Sequence, residues 1–270
     1  MSGRSTPESI QTLDDPRVAD YRQLSDLAYL NARGLFVAEG RLVLKRLLTS
    51  TRFETESILL TPAARDNVGS VLDLARAPIY LAAQELMNQL VGFNIHRGCL
   101  ALARRPPEAI LDAANLIGLS RLVVLEGVNN PDNVGGIFRS AAAFGVELVV
   151  LGPECGDPLY RKAVRTSMAA SLAVPFVVAA DWPATLTTLH DQGFQVMALT
   201  PAQEALPIDD IARGGRVALL LGAEGDGLTH AALAAATQLV RIPTSSQVDS
   251  LNVTTAASIA MHHFFGPHIQ

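Results

Sequence analysis

Residues 121–127, RLVVLEG, and residues 129–145, NNPDNVGGIFRSAAAFG, decide the fold of this chain. The first stretch is an apolar run typical of a buried strand. A turn at Asn130-Pro131 then leads into a helical pattern whose first turn contains Gly135 and Gly136. The chain therefore passes from a strand through a loop into a helix, and loops at the carboxyl ends of strands are where α/β sheets bind ligands.

The second half of the chain repeats this alternation. Most of its apolar runs are continuous, as expected of parallel strands buried on both faces, and helical patterns separate several of them. The clearest helices are predicted over residues 133–144 and 252–265. These patterns predict an α/β domain with a parallel sheet. The predicted strands are Leu122–Leu125, Glu147–Leu151, Phe176–Ala179, Gln195–Leu199, Val217–Leu221 and Leu239–Ile242.

The first part of the chain predicts a smaller α/β unit. A helix is expected over residues 16–31, and strands and helices alternate after it. The pattern breaks at residues 104–107, RRPP, and a new one begins at Ser120. We therefore predict one domain at residues 1–105, a linker at 106–118 and a second domain at 119–270. Strands of the first domain are predicted at 56–60, 79–81 and 99–103, and a short apolar run lies at 35–38. Further helices are predicted at 41–48, 68–75 and 82–90.

Composition excludes several classes of protein. With 49% hydrophobic and 17% charged residues, the chain is neither disordered, collagenous nor a coiled coil. Two cysteines cannot form a disulfide framework or a four-ligand zinc site, and no apolar run approaches the roughly 18 residues of a membrane span. We expect a cytoplasmic globular protein without a metal. The net charge of −5 divides into +2 for residues 1–105 and −7 for the rest, which neither requires nor excludes nucleic acid.

Two glycine-containing loops carry candidate functional residues. In the first, the alternative interpretation is that Asn133 is only a helix N-cap and Arg139 a solvated residue. In the second, VALLLGAEGDGLT at residues 217–229, Glu224 and Asp226 make the loop unsuited to phosphate and favour a cationic or hydroxyl-bearing ligand. The alternative there is a tight turn in which Thr229 caps the following helix. The glycines of the first loop do not match the G-x-G-x-x-G dinucleotide fingerprint.

A third segment, RIPTSSQVDSLNV at residues 241–253, leads into the last helix. It places Ser250 and Asn252 at the helix entrance, where side-chain oxygens and free N–H groups converge. Helix capping is again the alternative interpretation. His262 and His263 are adjacent, and hence on different faces of the helix, so we interpret them as surface or packing residues and not as metal ligands.

Together these segments resemble motifs 1, 2 and 3 of the SpoU/TrmH group of SPOUT RNA methyltransferases, in the family's order and near its spacing. Motif 1 corresponds to residues 133–141, motif 2 to 222–228, and motif 3 to 242–243 with 250–253. The resemblance covers roughly residues 120–265. The stretches FVAEG at 36–40 and HRGCLALARRP at 96–106 are similar to the ribosomal-protein-like RNA-binding domain that many members carry.

The resemblance implies methyl transfer from S-adenosylmethionine to a ribose 2′-hydroxyl of ribosomal or transfer RNA. It also implies a trefoil knot at the C-terminal end of the sheet, a cofactor pocket inside the knot, and a homodimer whose active site combines both protomers. By position, the catalytic group would be Asn133, Arg139, Glu224, Ser250 and Asn252, and the cofactor contacts, largely through backbone, would be Thr200, Gly222, Ile242 and Leu251. Because a guanidinium stays protonated at neutral pH, we expect Arg139 to clamp the target phosphate and hydroxyl and not to act as a base.

RNA must also be held outside the acidic catalytic half, by side chains that contact phosphate. One rival interpretation is a non-catalytic RNA-binding or ribosome-assembly factor with the same fold, in which the motif residues would be eroded. Another is a nucleotide-dependent oxidoreductase, which the missing glycine fingerprint disfavours. The candidate phosphate contacts are Arg33, Arg41, Arg97, Arg104 and Arg105 in the first domain, and Arg161, Lys162 and Arg165 in the second.

Overall fold

The structure, a computed structural model, describes residues 6–92, 94–95, 97–245 and 250–266. Contacts divide the chain into two compact units. The first consists of residues 1–107 and 159–172, and the second of residues 108–158 and 173–270. The predicted boundaries place 159–172 in the second domain, whereas its contacts group it with the first unit. The chain therefore passes between the units three times, after residues 107, 158 and 172.

Strands and helices alternate through most of the described residues, and none of these helices is both long and apolar enough to cross a bilayer. The strands are β1 (Glu8–Ser9), β2 (Leu35–Glu39), β3 (Thr55–Leu60), β4 (Ile79–Leu81), β5 (Cys99–Arg104), β6 (Arg121–Leu125), β7 (Leu148–Leu151), β8 (Phe176–Val178), β9 (Gln195–Leu199), β10 (Leu206–Pro207), β11 (Val217–Leu221) and β12 (Gln238–Arg241). The α-helices are α1 (Leu27–Ala32), α2 (Arg41–Thr49), α3 (Pro62–Val68), α4 (Gln84–Val91), α5 (Pro131–Ala143), α6 (Arg161–Thr166), α7 (Ala184–Asp191), α8 (His230–Ala234) and α9 (Val253–Phe265). Short 3-10 helices cover Pro16–Gln23, Gly69–Leu74, Ala113–Leu116, Ala170–Leu172 and Ile208–Asp210.

The first unit is built on a mixed sheet in the order β1-β4-β3-β5-β2. Strand β5 pairs antiparallel with β2 and β3, whereas β4 pairs parallel with β1 and β3. The predicted helix over residues 16–31 is wrong. The chain forms a 3-10 helix at Pro16–Gln23 and then the separate helix α1, because the side chain of Asp26 accepts from the N–H of Tyr29 at 2.9 Å and caps a new start. The predicted helix over 68–75 is also wrong: α3 ends at Val68 and a 3-10 helix follows.

The second unit is built on a sheet in the order β10-β12-β9-β11-β6-β7-β8, in which every pairing is parallel. The prediction of a parallel sheet buried on both faces is confirmed, and every residue of β11 is buried. All six predicted strands occur, with ends displaced by at most one residue. The two-residue strand β10 was not predicted, because a strand this short has no periodicity to detect.

A crevice opens where β6 and β11 lie side by side. After β6 the chain passes through α5 to β7, which is the neighbour of β6 on one side. After β11 it passes through α8 to β12, which lies on the other side, beyond β9. The loops that leave these two strands therefore diverge. In open α/β sheets, ligands bind in the crevice that such a reversal of strand order creates.

Glu147, the residue before β7, is hydrogen-bonded to the backbone at the start of β6. Its Oε2 accepts from the N–H of Ser120 at 2.6 Å and from the N–H of Arg121 at 2.9 Å. Burial alone would raise the pKa of Glu147, but these N–H groups stabilise the charged form more, and the net pKa lies below its usual value. A depressed pKa contributes stability above the usual glutamate pKa, near 4.3, and that contribution is lost as the pH falls through the lowered pKa.

Glu147→Gln is therefore expected to lower the free energy of unfolding by about 1 kcal/mol at pH 7, and by less as the pH falls below about 4. Urea unfolding at pH 7 and at pH 3.5 measures the difference. Glu204→Gln, which removes an exposed carboxylate in the same unit, is the matched control. If the free energy of unfolding fell by the same amount in the wild type and in Glu147→Gln between pH 7 and pH 3.5, the Glu147 carboxylate would not contribute the expected pH-dependent stability.

Candidate functional site

Helix α5 carries Asn133 into the interior of the second unit. The helix begins at Pro131, and Asn130 caps it by accepting from the N–H of Asp132 at 2.9 Å. The alternative interpretation in which Asn133 is the N-cap is therefore wrong. Asn133 lies in the first turn instead, and its exposed fraction is only 7%.

Gly136 allows α9 to lie close to α5. A Cβ at this position would lie 2.5 Å from Cγ2 of Thr254, so no larger residue fits without movement. One turn further along, the hydroxyl groups of Ser140 and Ser258 share a hydrogen bond of 2.7 Å between the two helices. The absence of a side chain at Gly136 is therefore what allows the two helices to pack this closely. This packing brings the first and third motifs together.

Asn252 connects all three motifs. Its Oδ1 accepts from the N–H of Thr254 at 3.0 Å, so the predicted capping of the last helix is confirmed. Its Nδ2 points the other way and donates to Oδ1 of Asn133 at 3.1 Å and to the carboxylate of Glu224. The N–H groups of the helix fix which end of the Asn252 amide faces α9, and therefore which end faces its two partners. The structure thus brings Asn133, Glu224 and Asn252 into one network.

Arg139 and Ser250 lie outside this network. Arg139 is exposed, and its position six residues after Asn133 places it about 120° around the helix from that residue. Its guanidinium has no partner within the described ranges. Ser250 is exposed and likewise lacks a hydrogen-bond partner among the residues that the structure describes. Residues 246–249, which complete the predicted loop before Ser250, lie outside the described residues.

The loop after β11 turns tightly. A Cβ at Gly222 would lie 2.4 Å from the carbonyl carbon of Gly227 and 2.5 Å from the nitrogen of Leu228. Gly225 adopts a φ of +90° and Gly227 a φ of +71°, in the left-handed region that favours glycine. The glycines therefore hold the loop folded on itself, and this fold presents Glu224 to Asn252.

Glu126 is a buried carboxylate that lies outside the three motifs and was not among the predicted site residues. It is 4% exposed at the end of β6, and Oε1 accepts from Nε1 of Trp182 at 2.6 Å and from the hydroxyl of Thr229 at 2.7 Å. Its Oε2 accepts from the N–H of Thr229 at 2.9 Å. Thr229 in turn caps α8 by accepting from the N–H of Ala232 at 3.2 Å, which confirms the predicted cap. An acidic residue that ends an otherwise apolar strand was the available sequence signal.

A cavity of about 510 Å³ occupies the crevice between the loops that follow β6, β7 and β11. Its lining includes residues of the loop after β6 and two members of the network, Asn133 and Glu224. Cys155 lies in the loop after β7. Burial raises the pKa of the Cys155 thiol to about 11 and the pKa of the Cys99 thiol to about 12. Both thiols are therefore protonated at neutral pH, and neither provides a thiolate nucleophile.

The resemblance assigns four residues to the cofactor. Three of them lie at the carboxyl ends of the neighbouring strands β12, β9 and β11, and the fourth lies directly before Asn252. Thr200 follows β9, and its N–H donates to the carbonyl of Val240 on β12 at 2.9 Å. Gly222 follows β11, Ile242 follows β12, and Leu251 precedes Asn252. All four are half-buried. The structure therefore places three of them along one edge of the sheet, where the loop after β11 is shared with the cavity.

Of the arginines predicted to contact RNA in the first unit, two differ from the rest. Arg41 and Arg97 are exposed and have no ion-pair or hydrogen-bond partner within the part of the chain that the structure describes. The others are engaged. Arg33 pairs with Asp20 at 3.2 Å, Arg104 pairs with Glu56 at 2.7 Å, and Nε of Arg105 donates to the carbonyl of Leu35 at 3.1 Å.

The predicted RNA contacts in α6 lie in the segment that groups with the first unit. Nη1 of Arg161 is 3.6 Å from Oε2 of Glu39, and Nη1 of Arg165 is 3.9 Å from the same oxygen. Lys162 lies on the same helix. Charge reversal at the two arginines would therefore place like charges against Glu39, in addition to any effect on RNA.

The SpoU rRNA Methylase family matches residues 120–262. The chain is 43% identical over 267 residues to an uncharacterized tRNA/rRNA methyltransferase of Mycobacterium bovis, covering 94% of this chain and 92% of that protein. It is 29% identical to a 23S rRNA (guanosine-2′-O-)-methyltransferase of Acinetobacter baylyi, with 76% and 86% covered. Its fold is similar to that of an AdoMet-bound rRNA methyltransferase of Sinorhizobium meliloti, with a TM-score of 0.80, 21% identity, and coverage of 95% and 97%.

Proposed function

Because the chain belongs to the SpoU rRNA methylase family, we propose that it transfers the methyl group of S-adenosylmethionine to a ribose 2′-hydroxyl of ribosomal or transfer RNA. One observation carries the proposal: a network of Asn133, Glu224 and Asn252 joins the three motifs beside a cavity at the carboxyl edge of the sheet. Both relatives described above are named as methyltransferases, which favours the enzyme over a non-catalytic RNA-binding factor.

The loop ends after β9, β11 and β12 fit S-adenosylmethionine. We assign its contacts to Thr200, Gly222, Ile242 and Leu251. All four offer backbone groups, and Ile242 and Leu251 add half-buried apolar side chains. Gly222 has no room for a side chain, so a ligand at this loop would meet backbone. The cofactor supplies a methyl group that its sulfonium has already activated. The protein therefore has to orient a poor oxygen nucleophile and accept its proton.

The catalytic group assigned here is Asn133, Arg139, Glu224, Ser250 and Asn252. Asn252 donates to Asn133 and Glu224 and so fixes the direction of one amide and one carboxylate toward the cavity. Preorganised groups of this kind orient the hydroxyl without rearrangement during the reaction. Arg139 clamps the target phosphate and hydroxyl through its planar guanidinium.

The proposal includes the finer features that the family resemblance implies. These are a trefoil knot in the second unit, a ribosomal-protein-like RNA-binding role for residues 1–105, a cytoplasmic location, and a homodimer. Sedimentation equilibrium, with twice the chain mass of 28.7 kDa expected, tests the dimer.

Methyl transfer to natural RNA tests the activity. RNA from cells that lack this gene is incubated with the purified protein and labelled S-adenosylmethionine, digested to nucleosides and analysed by mass spectrometry. A 2′-O-methyl nucleoside at one site is the expected product. Absence of transfer to ribosomal RNA, transfer RNA and intact ribosomal subunits, by a protein that binds the cofactor, would favour the binding-factor alternative.

Arg139→Lys is expected to lower the rate of methyl transfer by about tenfold, because lysine keeps the charge but loses the planar pair of donors. Single-turnover transfer to RNA measures this rate. Arg213→Lys, at an exposed arginine outside the motifs, is the matched control. A near-normal rate for Arg139→Lys would show that a point charge is sufficient.

Arg41→Ala with Arg97→Ala is expected to weaken RNA binding and to reduce the slope of log K against log salt by about 0.7 to 0.9 for each phosphate group that is no longer neutralised. These two arginines are available for phosphate, whereas Arg104 already pairs with Glu56. Arg104→Ala is therefore the control, with a smaller expected change. Filter binding at several salt concentrations gives the slopes. Equal slopes for the double variant and the wild type would remove both residues from the RNA interface.

A further inference from the structure

Glu126 is hydrogen-bonded to both ends of the loop after β11, residues 222–228. Its backbone N–H donates to the carbonyl of Leu221, the last residue of β11, at 2.9 Å. Its side chain accepts from the hydroxyl of Thr229 at 2.7 Å and from the N–H of Thr229 at 2.9 Å. Leu221 and Thr229 are the residues directly before and after the loop. A single residue therefore fixes the two points at which the loop begins and ends.

Trp182 holds the carboxylate of Glu126 from another side. Its Nε1 donates to Oε1 of Glu126 at 2.6 Å. Gly152, directly after β7, leaves room for the indole, because a Cβ at this position would lie 3.1 Å from Cζ3 of Trp182. A buried carboxylate costs free energy unless its oxygens are hydrogen-bonded, and three donors meet that requirement here. They also fix the direction of the carboxylate.

The hydrogen bonds of Glu126 suit it to hold the loop and not to contact a ligand. It lines the cavity, but Oε1 already accepts from Trp182 and Thr229, and Oε2 already accepts from Thr229. Between its two fixed ends, the loop carries Glu224, whose carboxylate accepts from Nδ2 of Asn252. The position of Glu224 therefore depends on where the ends of the loop are held.

We propose that Glu126 is a positioning residue for methyl transfer: it holds the loop after β11 in the form that presents Glu224 to Asn252. The inference rests on the proposed function. Three of the seven loop residues are glycines, which have more backbone freedom to lose than any other residue. A loop of this composition depends on contacts at its ends for a fixed form, and Glu126 supplies contacts at both ends.

Glu126→Gln tests the proposal, because glutamine has nearly the same shape but only one acceptor oxygen. In either orientation its NH2 group would face an N–H donor, of Thr229 or of Trp182. We expect single-turnover methyl transfer at saturating S-adenosylmethionine to slow by about tenfold or more, since displacement of a reacting group by about 1 Å costs about a hundredfold. A wild-type rate for Glu126→Gln would overturn the proposal.

Glu147→Gln is the matched control. It removes a carboxylate that accepts from two backbone N–H groups at the other end of β6, away from the loop. Both variants are expected to lose thermal stability, but only Glu126→Gln is expected to lose rate. An equal loss of rate in Glu147→Gln would show that destabilisation of the sheet is sufficient to slow transfer, and would overturn the proposal.

A double-mutant cycle with Glu224→Ala separates positioning from a general loss of stability. If Glu126 acts by placing Glu224, Glu126→Gln should slow transfer by less than about twofold once Glu224 has been replaced. The same slowing in both backgrounds would overturn the proposal. Thr229→Val, which removes the hydroxyl that donates to Glu126, enters the same cycle. The test therefore does not depend on the folding of one variant.

Hydrogen exchange separates this inference from the proposed function. Peptides that contain residues 222–229 are compared in the full-length wild type, Glu126→Gln and Glu147→Gln. Exchange in these peptides is expected to rise by about tenfold or more in Glu126→Gln alone, because hydrogen bonds to a charged group at the end of the loop are lost. Unchanged exchange would overturn the proposal. Raised exchange, in a protein whose wild type methylates no RNA, would reject the proposed function and retain Glu126 as the residue that holds the loop.

Discussion

Asn252→Asp is expected to lower the rate of methyl transfer by about a hundredfold or more, with little change in thermal stability. Aspartate is as good an N-cap as asparagine, so its oxygen keeps the bond to the N–H of Thr254. The substitution removes the donor to Asn133 and Glu224 and places a second carboxylate against Glu224. Loss of one preorganised donor at a reaction centre costs about 100- to 1,000-fold in rate.

Single-turnover transfer and thermal unfolding, measured on the same preparations, separate the two roles of Asn252. Asn252→Ala also removes the cap and is expected to cost about 1 kcal/mol of stability in addition to activity. Asp112→Ala removes a cap in the same unit but outside the network, where Asp112 accepts from the N–H of Asn115 at 2.9 Å. That control should lose stability and keep its rate. A normal rate for Asn252→Asp would show that the network does not orient the reacting groups.

Gly222→Ala is expected to weaken cofactor binding by more than about tenfold and to destabilise the second unit by about 1 to 3 kcal/mol. The added Cβ would lie 2.4 Å from the backbone of Gly227, so the loop would have to open. The same movement would withdraw Glu224 from Asn252. Cofactor affinity and methyl transfer are therefore expected to fall together.

Isothermal titration with S-adenosylhomocysteine measures the affinity for the cofactor site. Gly214→Ala is the matched control, because Gly214 has a φ of +108° but nothing within 4 Å of an added Cβ. This control carries backbone strain of about 1 to 3 kcal/mol without a clash at the loop. An affinity of Gly222→Ala within about twofold of the control would exclude the tight loop as a requirement for the cofactor.

Apolar runs in the sequence were sufficient to predict the parallel sheet, and residue type was sufficient to predict the N-caps of the last two helices. The strands that contain Leu122 and Val217 are continuous apolar runs, which only burial on both faces explains. Thr229 and Asn252 are capping residues placed directly before helical patterns. The first helix was not predicted correctly, because the cap at Asp26 divides an apolar pattern that reads as continuous.

The site itself required the tertiary structure. Asn252 contacts Asn133, 119 residues earlier, and Glu224, 28 residues earlier, and no local pattern reports a contact of this kind. The resemblance to a family grouped these residues, but the approach of α9 to α5 at Gly136 is what joins them.

The segment 159–172 makes the first unit discontinuous along the chain, and this has a consequence for how the protein can diverge. Helix α6 packs against β2, and its arginines face Glu39. A recombination event near residue 107 would exchange β2 but not α6, and would pair each with a partner of different ancestry. We therefore expect substitutions in α6 to occur together with substitutions in β2, including Glu39, among relatives. The two segments would then be inherited as one module, although about fifty residues of the second unit separate residue 107 from residue 159 in the sequence.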